Sequence, residues 1–338
     1  MGVFNTPVDI ANVGLQLLGV PRISTFTDAT RQSREAGFVY EKSRRSELRR
    51  FVWTFATRRA VLRPVTATTK QMVLPAYVAG TTYKLGDLVT YNNLNYQSQA
   101  ASNVGNTPDQ GAGWWDVYGG PLFGDVWSAV VTYIPGDIVY KTGGTVAYQL
   151  STITTSLNQD PASGAPWITP TGVTLSAVIT YRQPSGWDGP TGATTRSAYP
   201  LPPGLLRMAP QDPKQPAIER LGTTAGMQFN DWEIEGGTLF SAAATGALIL
   251  RFVCDTVYVT SYDDMFAHAV GCRMALDLNE ILTQRQDLAQ KVRVEYDNFV
   301  RDARLVSAIE GGSTEEDIML GYQGRLPTPP QGQGRGGV

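Results

Sequence analysis

Apolar residues recur every three or four positions near the start of the chain, and this spacing predicts two amphipathic helices. The first begins after Thr6, because Pro7 suits the first helical position and Asp9 completes a capping box with Thr6. It ends near Gly19. The second covers roughly 30–56 and would be about 40 Å long if unbroken. The positions expected to face inward are Ile10, Val13, Leu17, Ala36, Val39, Tyr40, Leu48, Val52 and Phe55.

The same spacing returns near the other end of the chain and predicts two further helices. Ser261 and Asp264 form a second capping box at the start of the third helix. The fourth covers about 285–309, and Gly311 closes it. Because each of the four helices carries one apolar face, two from each end of the chain can pack as a four-helix bundle.

Between the helices the apolar pattern is short and alternating. Residues 64–204 hold more than half of the Pro and Thr and nearly half of the Gly, which is typical of β-rich and loop-rich segments. The stretch DWEIEGGTLF alternates on both sides of Gly236 and Gly237 and predicts a hairpin, and GALILRFVCD at 246–255 is typical of a buried strand. The pattern predicts an α+β fold, with a four-helix bundle formed by both chain ends, a β domain and two small all-β modules.

Those two modules are predicted from an internal repeat. The segment TYKLGDLVTYNNLNYQS at 82–98 is similar to the segment TYIPGDIVYKTGGTVAYQL at 132–150. Each copy is about 45 residues long, near the lower limit for an unaided fold, so its aromatic residues must supply most of the buried area. The matched positions are Tyr77 with Trp127, Tyr83 with Tyr133, Gly86 with Gly136, Asp87 with Asp137, Val89 with Val139, Tyr96 with Tyr148, and Trp114 or Trp115 with Trp167.

Each copy resembles the small chitin-binding modules of bacterial chitinases in its order of aromatic, Tyr, Gly-Asp, Val, Tyr, Asn, Pro and Trp. In that family exposed aromatic rings stack on sugar rings. The resemblance therefore implies sugar or partner contacts for five aromatic residues. They are Tyr91, Trp114, Trp115, Tyr140 and Trp167.

The alternative for the same aromatics is that they form the core of each module, and the sequence fits both interpretations. Gly-Asp marks a turn between short strands in either case. The second copy has Lys141 where the first has Tyr91, a difference that argues against one sugar-binding surface common to both copies.

Charge is segregated along the chain. The whole 338-residue chain has a net charge of −2, but residues 31–63 contain ten of the 28 Lys and Arg with only three acids, Glu35, Glu41 and Glu47. This cluster predicts either contact with phosphates or a helix face that meets acidic groups of a neighbouring subunit. The residues proposed for a subunit or portal interface are Arg31, Arg34, Arg44, Arg45, Arg49, Arg50, Arg58 and Arg59.

Signals for catalysis are poor, and we expect neither an enzyme nor a cofactor or metal site. The chain has one histidine, His268, in the middle of a predicted helix with no nucleophile motif near it, so a structural role is expected. Two cysteines, Cys254 and Cys272, cannot form a disulfide framework. No stretch approaches about 18 apolar residues, so no membrane insertion is expected.

Outside the repeat, the chain resembles tail tubular protein A, the head-to-tail adaptor (gatekeeper) of short-tailed bacteriophages. The N-terminal match is DIANVGLQLLGVPRISTFTD followed by ELRRFVWTFATRRAVL. The C-terminal match is YPLPPGLLRM, DWEIEGGTLF and LRFVCD in that order. These segments cover about 1–70 and 195–310, just over half of the chain.

The resemblance implies a ring, with 12 subunits in this family, between the portal protein and the tail nozzle protein. Such a ring lies in the virion tail after assembly in the host cytoplasm, passes double-stranded DNA without sequence specificity and offers docking sites for fibres or spikes. The implied organisation is an adaptor core at 1–72, module 1 at 75–122, module 2 at 123–172, the rest of the core at 173–310 and an extended C-terminal arm at 311–338.

Two other functions fit the sequence. The aromatic repeat suggests a virion protein that binds or degrades host surface polysaccharide. The basic cluster suggests a DNA-binding protein whose affinity would fall steeply with salt.

Overall fold

The computed structural model describes most of the chain, and its residues separate into two compact units. The first comprises the residues up to Glu47, then Trp53–Phe55, and Asp263 onward; the second comprises Leu48–Val52 and Ala56–Tyr262. The predicted C-terminal arm at 311–338 lies outside the described residues. The described ranges are 4–66, 68–109, 113–120, 122–150, 156–178, 197–209, 217–220, 232–241 and 246–310.

The fold is mixed α+β, with four helices in the described residues. They are α1 (Pro7–Leu17), α2 (Arg31–Arg50), α3 (Asp264–Leu282) and α4 (Gln286–Glu310). The predicted capping box of α1 is confirmed, since Thr6 Oγ1 accepts the Asp9 N–H and the Asp9 carboxylate accepts the Thr6 N–H. Close packing of α1 on α3 depends on a missing side chain, because a Cβ at Gly14 would lie 2.8 Å from Gly271 O.

The second helix ends six residues earlier than its apolar pattern predicted. After Arg50 the chain leaves the helix, and Trp53 is buried against Phe266 with ring centroids 5.0 Å apart. The Trp53 indole N–H donates to Glu47 O at 2.9 Å. This bond satisfies one of the carbonyl groups that every helix leaves free in its last turn.

The third helix has a different cap from the predicted one. The side chain of Asp263, not Ser261, accepts the N–H groups of Met265 and Phe266. Ser261 lies in a short 3₁₀ turn, Val259–Ser261, and its hydroxyl donates to Tyr258 O at 2.7 Å. Since that hydroxyl is already engaged, the prediction of a Ser261 capping box is wrong.

The second unit is built from short strands in several sheets. The strands are β1 (Thr57–Leu62), β2 (Lys70–Val73), β3 (Leu88–Tyr91), β4 (Leu94–Ser98), β5 (Trp115–Val117), β6 (Phe123–Val126), β7 (Thr132–Tyr133), β8 (Ile138–Tyr140), β9 (Tyr148–Leu150), β10 (Ser156–Leu157), β11 (Trp167–Ile168), β12 (Thr174–Val178), β13 (Ser197–Pro200), β14 (Leu205–Met208), β15 (Ile218–Arg220), β16 (Glu233–Glu235), β17 (Thr238–Ser241) and β18 (Leu248–Cys254). In the first sheet β18 pairs with β1, β14 and β15, and in a second sheet β17 pairs with β13 and β16.

Two of the strand predictions are confirmed. Strands β16 and β17 form the predicted hairpin, and Gly236 and Gly237 take φ values of +53° and +80°, which favour glycine at both turn positions. The predicted buried strand is β18, and Leu250 and Phe252 are fully buried in it.

Residues on either side of the repeat pair with each other. Strand β1 pairs antiparallel with β18 over six residues, from Thr57 with Val253 to Leu62 with Leu248. Nearer to the repeat, β2 pairs antiparallel with β12, and Val73 lies opposite Thr174. The chain therefore enters and leaves the repeat region at neighbouring positions.

Candidate functional site

The two copies of the repeat share one hydrogen-bonded framework. In module 1 the Tyr83 hydroxyl accepts the Val78 N–H at 2.7 Å. In module 2 the Tyr133 hydroxyl accepts the Ser128 N–H at 2.8 Å. The repeated tyrosines thus close equivalent turns.

The repeated tryptophans lie inside the modules. Trp115 meets Tyr83 edge-on with centroids 5.0 Å apart, and its indole N–H donates to Asn106 O at 2.7 Å. Trp167 meets Tyr133 in the same way at 5.4 Å, and its indole also donates to a backbone carbonyl. Both side chains are buried, at 0% and 4% exposure.

Burial divides the five aromatics predicted to contact sugars or partners. Trp115, Tyr140 and Trp167 are buried, so they have no free face for a sugar ring and are core residues. Tyr91 is half-buried and meets Tyr77 edge-on at 5.6 Å. Trp114 is 44% exposed. The sugar-contact prediction is therefore wrong for the three buried residues, and only Tyr91 and Trp114 retain exposed ring surface.

Trp114 is held in place by its own backbone. Its carbonyl accepts the Gln99 N–H and the Asn103 side-chain amide, both at 2.9 Å. Pro166 stands before Trp167 where Trp114 stands before Trp115. Module 2 thus has no counterpart of the exposed tryptophan.

The repeated Gly-Asp pair builds an identical turn in both modules. Asp87 accepts the Lys84 N–H at 2.7 Å, and Asp137 accepts the Ile134 N–H at 2.8 Å. The preceding glycines have φ values of +89° and +91°, a region that other residues rarely adopt. The sequence predicted the turn but not the second partner that each aspartate has.

The carboxylates of these two aspartates also accept hydrogen bonds from outside the turn. Asp87 Oδ1 accepts the Thr171 N–H at 2.7 Å. Asp137 is 3% exposed and accepts two hydrogen bonds from the Arg63 guanidinium, at 2.7 and 2.5 Å. Burial lowers the pKa of Arg63, but the hydrogen bonds and charge of Asp137 outweigh this and raise it above its ordinary value. The sequence placed Arg63 in the basic cluster. In the structure, its ion pair with Asp137 connects the segment after β1 to module 2.

The proposed interface arginines do not all reach the surface. Arg44 is only 1% exposed and donates to Glu41 at 2.7 Å, so its assignment to an exposed interface is wrong. Arg58 is half-buried. The other six are exposed, namely Arg31, Arg34, Arg45, Arg49, Arg50 and Arg59.

Part of the basic cluster forms one stripe on α2, which we call the α2 stripe. Its five residues follow a spacing of three, four, four and three, which keeps them on one helix face. All are exposed, and Phe38 at their centre is 79% exposed. Sequence reasoning missed Phe38, although its spacing from the arginines already placed it outside the apolar face. The members are Arg31, Arg34, Phe38, Lys42 and Arg45.

A polar cleft of about 260 Å³ lies between β1 and the two modules. Gln97 of module 1 donates to the buried Gln149 of module 2 at 3.4 Å beside it. Arg59 and Asp116 also line it. The cleft therefore offers hydrogen-bond donors and acceptors to a small polar group.

The titratable groups considered for chemistry lie in apolar surroundings. The His268 ring stacks on Phe299 at 4.9 Å and meets Phe4 edge-on, and burial lowers the pKa of His268. Burial raises the pKa of Cys254 and of Cys272 to about 12, so both remain thiols at neutral pH.

No protein-family model matches the chain, and no curated protein matches it. Within the described part of the chain, none of the helices combines the length and apolar composition needed to cross a bilayer. The same residues contain no group of three or more His, Cys, Asp or Glu placed to hold a metal ion.

Proposed function

We propose that the protein is a head-to-tail adaptor of a short-tailed bacteriophage, a ring that joins the portal to the tail nozzle and forms part of the DNA channel. It acts in the virion tail, after assembly in the host cytoplasm. The observation that carries the proposal is the pairing of β1 with β18, because the segments that resemble the adaptor family stand on opposite sides of the repeat.

Three features support this arrangement. Thr57 and Val253 are register partners although the whole repeat separates them in sequence. The described helices from both chain ends belong to one compact unit, as a four-helix bundle requires. Val73 and Thr174 bracket the repeat and lie opposite each other, which is what an insertion into a surface loop needs.

Within this proposal the two modules, at 75–122 and 123–172, are insertions on the outer surface of the ring. They serve as docking sites for tail fibres or spikes. The exposed arginines of α2 face a neighbouring subunit or the portal, and DNA passes through the channel without sequence-specific contacts.

The test uses the full-length chain and the portal protein encoded in the same viral genome. Mass photometry and electron microscopy of the mixture should show a ring of this chain on the portal ring. Arg34→Glu should weaken that assembly at least fivefold, whereas Arg293→Glu on the exposed face of α4 should not. A chain that stays monomeric in the presence of portal would overturn the proposal.

A second function is favoured by Trp114. An exposed indole on a backbone fixed by two hydrogen bonds can cover the apolar face of a pyranose ring. The candidate is therefore binding of host surface polysaccharide by module 1 alone.

This alternative is tested by sedimentation of the full-length chain with purified host polysaccharide. Trp114→Ala should reduce binding about tenfold, and Val130→Ala, which changes an exposed apolar residue of module 2, should leave it unchanged. Equal binding by both variants would exclude Trp114 as the sugar contact.

A further inference from the structure

The α2 stripe presents one large apolar ring among four cations. Phe38 is 79% exposed, the second most exposed of the large apolar residues described. Lys42 keeps 65% of its side chain exposed, although it pairs with Asp277 at 3.2 Å. Exposed aromatic residues surrounded by charge are typical of the centres of protein interfaces.

The chain itself contains a segment with the complementary composition. Residues 315–320 read EEDIML, three acids followed by three apolar residues. This segment lies outside the described residues. The acids match the cations of the stripe, and the apolar residues match Phe38.

We propose that residues 315–320 of one copy of the chain bind the α2 stripe of a second copy. In this contact Glu315, Glu316 and Asp317 pair with the cations, and the apolar residues that follow cover Phe38. The inference rests on the ring-forming part of the proposed function and names the surface through which copies join.

The directions of the helices favour a second copy over the same chain. Trp53 packs on Phe266, and Lys42 pairs with Asp277, so α2 and α3 are antiparallel. A short connection at 283–285 turns the chain back into α4, which therefore runs in the same direction as α2. Tyr296 of α4 donates to Glu47 of α2 at 2.8 Å, so these two residues lie at the same height along the helix axes.

This contact sets the distance between the end of α4 and Phe38. At 1.5 Å per residue, the end of α4 at Glu310 lies about 35 Å along the axis from Phe38. Residues 311–318 span at most about 29 Å when fully extended, and residues 311–320 about 36 Å. Because a chain must also reverse direction after α4 and cross to α2, its own apolar residues 318–320 fall short of Phe38, whereas those of a neighbour are not so limited.

The test is zero-length carbodiimide cross-linking of the full-length chain, using an equal mixture of ¹⁴N- and ¹⁵N-labelled protein. The reagent joins a carboxylate to a lysine amine in contact with it, and Lys42 is the only lysine of the stripe. We expect peptides that link Lys42 to residues 315–317 with mixed isotopes, and their yield should rise with protein concentration. The Lys42–Asp277 link within one chain reports that the reagent reached Lys42.

Two variants separate the stripe from a general effect. Phe38→Ser should lower the yield of the mixed-isotope link about tenfold, and Val294→Ser, at a 59% exposed position on α4, should leave it unchanged. Neutralising the acids with Glu315→Gln, Glu316→Gln and Asp317→Asn should reduce self-association in mass photometry by a similar factor.

The proposal is overturned if Lys42 links to 315–317 only within same-isotope chains. It is also overturned if only the Asp277 link forms, or if Phe38→Ser leaves the yield unchanged. Portal binding without the mixed-isotope link would remove this contact and leave the adaptor function standing. The mixed-isotope link without portal binding would support this contact and overturn the adaptor function.

Discussion

At the scale of single residues, two adjacent tryptophans have opposite surroundings. Side chains alternate across a strand, so Trp115 at the start of β5 points into module 1 and Trp114 points out. The sequence predicts this alternation but not which of the two is inward. The contact that decides it, between Trp115 and Tyr83, joins residues 32 positions apart in the sequence.

We therefore expect very different costs for removing the two rings. Trp115→Ala should lower the free energy of unfolding by about 3–5 kcal/mol, because it empties a buried site and leaves Asn106 O without its donor. Trp114→Ala should cost less than about 1 kcal/mol. Urea denaturation followed by circular dichroism measures both, and equal costs would contradict the assignment.

The ion pair between Arg63 and Asp137 provides a second prediction. Asp137 is almost fully buried while Arg63 keeps 30% of its side chain exposed, so Arg63→Met should cost about 1–3 kcal/mol. Lys141→Met removes a pair in which both partners are about two-fifths exposed, so solvent screens it and the variant should cost clearly less than Arg63→Met. A double-mutant cycle of Arg63→Met with Asp137→Asn measures the coupling, and additive costs would contradict it.

At the scale of elements, the first residue of a helix was predictable where the sequence offers only one residue that can cap it. Thr6 begins α1 as expected, because Pro7 and Asp9 agree with it. At α3 the sequence offers both Ser261 and Asp263, and the choice depends on the 3₁₀ turn that engages the serine hydroxyl. That turn is a property of the preceding backbone, which sequence periodicity does not reveal.

The cap of α1 should make its stability depend on pH. Burial raises the pKa of Asp9, but hydrogen bonds from Asn5 and Thr6 lower it, and the net shift is below the ordinary 3.8. A carboxylate whose folded pKa is depressed stabilises fully above its unfolded pKa and loses this contribution as pH falls through the folded pKa. We expect Asp9→Asn to flatten the decline of the unfolding free energy below about pH 4.

The measurement is urea denaturation at a series of pH values from neutral to acid. Asp297→Asn, at an exposed position of α4, is the matched control and should keep the decline of the parent protein. Identical profiles for Asp9→Asn and the parent would contradict a depressed pKa in the cap.

At the scale of the whole molecule, the repeat predicted two equivalent modules, and the structure makes them unequal. The core of module 1 is continuous with the first sheet, because Trp115 belongs to the same buried cluster as Phe252 of β18. Module 2 has a cluster of its own around Tyr133 and Trp167. No local pattern distinguishes these cases, since the difference arises from contacts over more than a hundred residues.

This difference between the cores of the two modules predicts which strands lose protection when a core tryptophan is replaced. Trp167→Ala should speed amide hydrogen exchange in β8 and β9 while β18 stays protected. Trp115→Ala should speed exchange in β4 and also in β18, because the two share one core. Hydrogen exchange with mass spectrometry resolves these strands, and a protected β18 in Trp115→Ala would contradict the shared core.

The pairing of β1 with β18 has a consequence for synthesis on the ribosome. Thr57 emerges about 200 residues before its partner Val253, and at ~5–20 residues per second this is a delay of about 10–40 s. Throughout that interval β1 has no β18 to pair with, whereas strands within each module meet their partners soon after they emerge. Module 2, whose buried cluster contains no residue of β18, therefore packs first, whereas the core of module 1 and the first sheet close only when translation nears its end.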